Sequence, residues 1–256
     1  MRLVWWLLPA LSIFIPIRLP HSDSIISYLT GVTTALELEA GMYPASDYGA
    51  EVRDGALINY GASAGYIGIR LLVKNSLRMS SPSENPTPDG LAGWWTYFKF
   101  IFQDFQTVLA PTFSEQANSA EIARMRQLLE LDLDEGAIGI GLALDYISEA
   151  VNDAELKMIF SVAGERQAPL FVHVRRGVNG DPAGLREVLF LAEQASASVH
   201  ICHITHNAMG NVELFLREVR EAQGSGCRCH SWCPTLQCRI NGDWCRGIQS
   251  RLADYF

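Results

Sequence analysis

The chain has 256 residues, 48% hydrophobic and 19% charged, a composition that excludes a disordered or low-complexity protein and suits one large domain or two small ones. Twenty Lys and Arg against 28 Asp and Glu give a net charge of −8 with no interior basic run, which argues against sequence-independent nucleic-acid binding. The charge is uneven: Arg2 and Arg18 against Asp23 leave residues 1–30 at +1, four Arg against two Asp leave residues 227–256 at +2, and the segment between them therefore carries −11.

Residues 3–17, LVWWLLPALSIFIPI, are almost wholly apolar behind Arg2, the pattern of the hydrophobic region of a secretory signal. The run is too short, and too interrupted by Pro9 and Pro16, for a membrane-spanning helix, and no small-x-small cleavage site follows it. A signal or anchor, a buried strand and a segment foreign to the fold are the readings it leaves.

From residue 31 apolar runs alternate with helix-period segments, which predicts βα repetition and a parallel sheet. GVTTALELEA (31–40) reads as a strand closed by a turn at Gly41, and ALINYGAS (56–63) reads as the next. Residues 75–93, rich in Ser, Pro, Asn and Gly, read as a loop, and the aromatic stretch 94–102 after it reads as packing. SAEIARMRQLLELDL (119–133) has the spacing of an amphipathic helix with Ser119 as its N-cap, ended by Asp134-Glu135-Gly136. GAIGIGLA (136–143) reads as a closely packed strand ending at Leu144-Asp145-Tyr146, because its glycines lack the order of a dinucleotide fingerprint. A helix over 149–166 leads to the strand PLFVHVRR (169–176), and a helix over 182–195 leads to SVHICHITH (198–206). Beyond these lie Cys227, Cys229, Cys233, Cys238 and Cys245, which with His230 admit a zinc or disulfide reading, although no paired C-x-x-C spacing occurs.

Each strand is apolar until its carboxyl end, where polar groups gather, and in parallel α/β folds that end carries the chemistry. Glu37 and Glu39 share one face of their strand, opposite Leu36 and Leu38. Two inward carboxylates are costly unless paired or bound to a cation. His173 and His203, closing two successive strands, would complete a mixed nitrogen and oxygen site suited to Zn²⁺, which suits amide hydrolysis at neutral pH. Arg175 would either bind a substrate carboxylate or pair with a nearby acid, while His200 and His206 would face away or lie in the following loop.

GVTTALELEAG (31–41), EGAIGIGLALDY (135–146), PLFVHVRR (169–176) and VHICHITHNAMGN (199–211) resemble successive strand motifs of the amidohydrolase superfamily, in its D-aminoacylase-like branch of N-acyl-D-amino-acid and N-acyl-D-glutamate deacylases. The resemblance runs over residues 31–226 in the family's order and implies an α/β fold: a partial metal-dependent (β/α)₈ TIM-like barrel, incomplete at both ends. It implies an N-acyl amino acid substrate, Zn²⁺ as cofactor, and His173 and His203 as metal ligands, with Glu39 standing where relatives often place a Cys ligand. Tyr146 and Arg175 are the substrate contacts it suggests, in a cytoplasmic protein without nucleic-acid or membrane partners, unless residues 1–20 act as an export signal. Two departures stand out: the family's first-strand His-x-His is absent, and its late-strand Asp, the general acid/base, would lie beyond Phe256.

A change of reading frame would account for both ends. The codons available for Val4–Pro16 permit, in a shifted frame, a strand closing in His-x-His, and those for residues 227–255 permit an alternating strand followed by a Pro-Tyr turn. The expected organisation is thus an out-of-frame or signal-like segment (1–30), a barrel core (31–226) and a non-native Cys-rich tail (227–256). With an incomplete catalytic set, the chain would turn over weakly or not at all. The rivals are a non-catalytic barrel fragment and an exported Cys/His metal-binding module.

Overall fold

The computed structural model describes residues 33–48, 57–79 and 86–231. The expectations for residues 1–30 and for Cys233, Cys238 and Cys245 lie outside them. Six parallel strands form one sheet in sequence order: β1 (Thr34–Met42), β2 (Asn59–Gly65), β5 (Ile140–Ala143), β6 (Leu170–His173), β7 (Val199–Ile201) and β8 (Cys229–Ser231). The short strands β3 (Leu77–Arg78) and β4 (Thr87–Pro88) pair antiparallel in a separate ribbon, inside the stretch expected to be a loop.

Between strands the chain returns through helices, as parallel pairing requires. After β2 come α1 (Tyr66–Asn75), α2 (Gly90–Lys99), α3 (Phe105–Phe113) and α4 (Ser119–Asp134). Then α5 (Asp153–Glu165) joins β5 to β6, and α6 (Ala183–Ala195) joins β6 to β7. A short α7 (Ile204–Ala208) and α8 (Val212–Gly224) lead to β8. Leu142, Leu170, Val172, Val199 and Ile201 from the strands pack with Met125, Leu129, Leu156, Ile159, Leu185, Val188 and Phe215 from the helices in one buried cluster. The strand alternation leaves Phe171 and His173 on the face away from that cluster.

Local chemistry explains several boundaries. Asn118, not Ser119, caps α4: its side chain accepts the Ala120 and Glu121 N–H groups, while the Glu121 carboxylate accepts the Asn118 N–H at 2.8 Å, a reciprocal capping box. The aromatic stretch forms most of α2, but Gly93 and Thr96 face inward while Trp94, Trp95 and Phe98 are exposed and stack or meet edge-on with their neighbours. The stretch was expected to pack, and its rings instead stay exposed. Behind α1 sits a fully buried ion pair, Arg70 with Glu155 at 2.5 Å, joined by the Tyr66 hydroxyl and by the carbonyls of Thr112 and Glu115.

The sheet continues beyond residue 226. Cys229 and Ser231 are buried and His230 exposed, so β8 alternates as a strand should and pairs with β7 from Val199 to Ile201. Among the described residues Cys202, Cys227 and Cys229 are free thiols.

Candidate metal centre

The carboxyl end of β1 is bent to bring Glu39 into position. Glu37 is level with Ala62 of β2, yet Met42 is level with Ala64, so residues 38–41 bulge out of the ladder. The Ser63 hydroxyl fills the bulge by donating to the Leu38 carbonyl at 2.5 Å. Gly41 turns the chain with φ +64°, and a Cβ there would stand 2.7 Å from the Gly65 Cα. The glycines of the sequence thus permit close backbone approach, and the bulge re-aims the Glu39 side chain.

Two imidazoles converge on that carboxylate. His173 Nδ1, from the last residue of β6, lies 2.8 Å from Glu39 Oε1, and His203 Nε2 lies 2.7 Å from Oε2. The two rings are edge to face with centroids 4.4 Å apart. Among the described residues, Glu39, His173 and His203 bring their ligand atoms within 4.8 Å of one another. Glu39 and His173 are buried, and His203 keeps 17% of its side chain exposed, which leaves the cluster open on one side. The strand expected to run to His206 ends at Ile201, and His203 adopts φ 27°, an uncommon conformation for a residue with a Cβ that turns its ring back over the strand ends.

The electrostatics match the geometry. Burial alone would raise the Glu39 carboxyl, but hydrogen bonds and charge from His173 and His203 outweigh it and hold it below its ordinary value. Glu37 on the same face has no such partners; burial, and then the Glu39 charge, push it up to about 7. The Cys202 thiol beside them is pushed well above its usual value by burial and by Glu39.

The other expected residues separate. Tyr146 meets the His173 ring edge-on at 5.4 Å, at the rim of the cluster. Arg175 takes the ion-pairing course of its two expected roles: it donates to the carbonyls of Ser148 at 2.5 Å and Val151 at 3.0 Å, and its Nε lies 3.0 Å from Glu187. His200 packs against Phe171, and burial pushes it down to about 4. His206, expected away from the centre, sits on α7 with its ring 5.6 Å from His203 and 6.1 Å from His173.

Sequence reasoning passed over Asp145 and Arg176. The Arg176 guanidinium lies 3.3 Å from Asp145 Oδ2 and donates to His206 Nε2 at 2.8 Å, and its backbone N–H donates to Asp145 Oδ1 at 2.8 Å. Asp145 directly follows the apolar run of a strand, the same signal that marked His173 and His203, and Arg176 closes the next one behind Arg175.

No family model and no curated protein matches the sequence. Solved structures do match in fold. The zinc and phosphonate-inhibitor complex of N-acyl-D-glutamate deacylase from Bordetella bronchiseptica superposes with a TM-score of 0.58 at 19% identity, over 84% of this chain and 44% of that one. A D-aminoacylase structure from work on its binuclear metal centre gives 0.58 at 17% identity, and the D-aminoacylase structure described as defining a novel subset of amidohydrolases gives 0.56 at 16%, each over 83% of this chain and 44% of the other. The described α/β fold therefore matches part of the fold of those chains. The chain spans under half the length of the structures it matches.

Proposed function

We propose that the chain is the metal-binding part of a hydrolase acting on non-peptide C–N amide bonds, of the N-acyl-D-amino-acid deacylase type, with Glu39, His173 and His203 as ligands of Zn²⁺. The carrying observation is the convergence of His173 Nδ1 and His203 Nε2 on one buried carboxylate at the carboxyl ends of parallel strands. Two imidazoles and a carboxylate form a borderline nitrogen and oxygen donor set that fits zinc, and the open side at His203 leaves room for a substrate atom. An ion held there supplies Lewis acidity toward an acyl carbonyl.

The chain's own groups do the rest of the positioning. Glu39 offers a carboxylate kept ionised by its neighbours, and the strained turn at His203 fixes the second imidazole. Tyr146, at the rim beside His173, would touch an N-acyl amino acid, whereas the Arg175 guanidinium already meets Ser148, Val151 and Glu187. No helix among the described residues is long and apolar enough to cross a membrane, and a cytoplasmic location accords with free thiols at Cys202, Cys227 and Cys229.

Metal analysis on the purified chain tests this reading. About one zinc per chain, lost in His173→Ala and Glu39→Ala, is the expected result. A protein that binds no zinc, or whose zinc survives His173→Ala but not Cys229→Ala, overturns it.

A further inference from the structure

The metal reading does not use the second ring nitrogen of His173. His173 is 1% exposed and turns Nδ1 to Glu39, which puts Nε2 on the far side of the ring, buried and without a hydrogen-bond partner. The acid facing that nitrogen is Asp145, whose Oδ2 stands 3.7 Å away. A shift of under about 1 Å brings the pair to hydrogen-bond length.

Asp145 is held for this contact. It lies on the 3-10 turn Leu144–Ile147 directly after β5, level with the end of β6, since Ala143 is in register with His173. Its Oδ1 accepts the Arg176 N–H at 2.8 Å, and the Arg176 guanidinium lies 3.3 Å from its Oδ2. Both tethers come from the segment that follows His173, so carboxylate and imidazole are fixed to one stretch of backbone. The side chain keeps 20% exposure, enough for its carboxylate to move the remaining distance.

We propose that Asp145 is a positioning residue for metal binding, accepting the Nε2–H of His173 so that the Nδ1 lone pair faces the ion, with Arg176 holding the carboxylate in place. The inference rests on the reading of Glu39, His173 and His203 as metal ligands. With Nε2–H held by Asp145, the Nδ1 lone pair would be left to face an ion held with Glu39 and His203. Fixing the tautomer and the ring plane in this way raises affinity without Asp145 touching the ion.

Competition with a chromophoric zinc chelator, alongside proton–nitrogen spectra of the zinc-loaded full chain, tests the assignment. Asp145→Ala is expected to bind zinc about 10–100-fold more weakly than the unaltered chain and to lose the slowly exchanging Nε2–H resonance of His173. Asp145→Glu, which keeps a carboxylate, is expected to recover most of both. If Asp145→Ala fails to fold, Arg176→Met reads the same coupling, and a fall in affinity is again expected. Unchanged affinity in the folded variant, or equal loss in the Ala and Glu variants with the resonance intact, overturns the inference alone. An unaltered chain that takes up no zinc overturns the metal reading and this inference together.

Discussion

Gly141 of β5 lets the backbone around Glu39 of β1 come close across the sheet: a Cβ on Gly141 would stand 2.7 Å from the Leu38 carbonyl oxygen and 2.8 Å from that of Glu39. The ligand's placement is therefore set by an absence of side chain two strands away in the sheet order.

Gly141→Ala forces the bulge of β1 outward, because backbone oxygens cannot swing aside as a flexible side chain would. The expected cost is about 1–3 kcal/mol in urea-unfolding stability. Zinc affinity falls with it, since the Glu39 carboxylate moves relative to both imidazoles. Measuring both quantities in Gly141→Ala and in Gly61→Ala, where a Cβ meets only side-chain methyls at 3.6 Å or more, separates the close approach from a general effect of replacing a glycine.

The Arg70–Glu155 pair predicts a loss of stability that leaves the metal centre alone. Glu155 accepts from both the Arg70 guanidinium and the Tyr66 hydroxyl, and all three side chains are fully buried. Glu155→Ala strands an unpaired buried cation and is expected to cost about 3–5 kcal/mol by denaturant unfolding. Replacing both members at once, as in Arg70→Met with Glu155→Leu, costs far less because no charge is left buried alone.

Asp132 predicts a pH dependence. Burial raises its carboxyl to about 6 from an ordinary value of 3.8, even though its Oδ1 accepts the Ala45 N–H at 2.9 Å. Because the folded pKa lies above the unfolded one, the folded chain holds the proton longer, and this group's contribution to stability falls as pH rises from about 4 to about 6. The change is about 3 kcal/mol across that window and constant above it. Asp132→Asn keeps the acceptor for Ala45 without the titration, so its urea midpoint is expected to exceed that of the unaltered chain at pH 7 and to match it near pH 4.

Much of the centre was legible in the sequence because strands alternate. Once GVTTALELEA reads as a strand, Glu37 and Glu39 must share a face, and apolar runs closed by His173 and His203 place two imidazoles at the same end of a parallel sheet. The strand order followed from the βα rhythm. What separates Glu39 from Glu37 was not legible: both sit on the inward face, and the bulge that carries one of them to the histidines depends on Ser63, Gly65 and Gly141 packing across strands.

The misses have similar causes. Aromatic density marked packing near Trp94 and Trp95 but not the helix that forms there or which stripe of it faces the core, and small residues, Gly93 and Thr96, take that role, with the Ser76 and Pro88 backbone close to Gly93. His206 returns to the centre because the chain turns at His203, a conformation that no residue type near it announces. Leu91, Trp94, Trp95, Tyr97 and Phe98 are left exposed on α2.

Arg175 and Arg176 are adjacent in the chain and alike in chemistry, yet one braces the backbone at Ser148 and Val151 and the other stands at the mouth of the centre with Asp145 and His206. Tolerance to change should divide sharply between these neighbours: drift at position 176 retunes the opening while the scaffold stands, whereas drift at 175 loosens the scaffold itself. A single-residue insertion just before them would carry Arg175 into the place of Arg176 and leave the Ser148 and Val151 carbonyls without their guanidinium, and that makes the end of β6 the place where the shortest alteration of this chain would reach furthest.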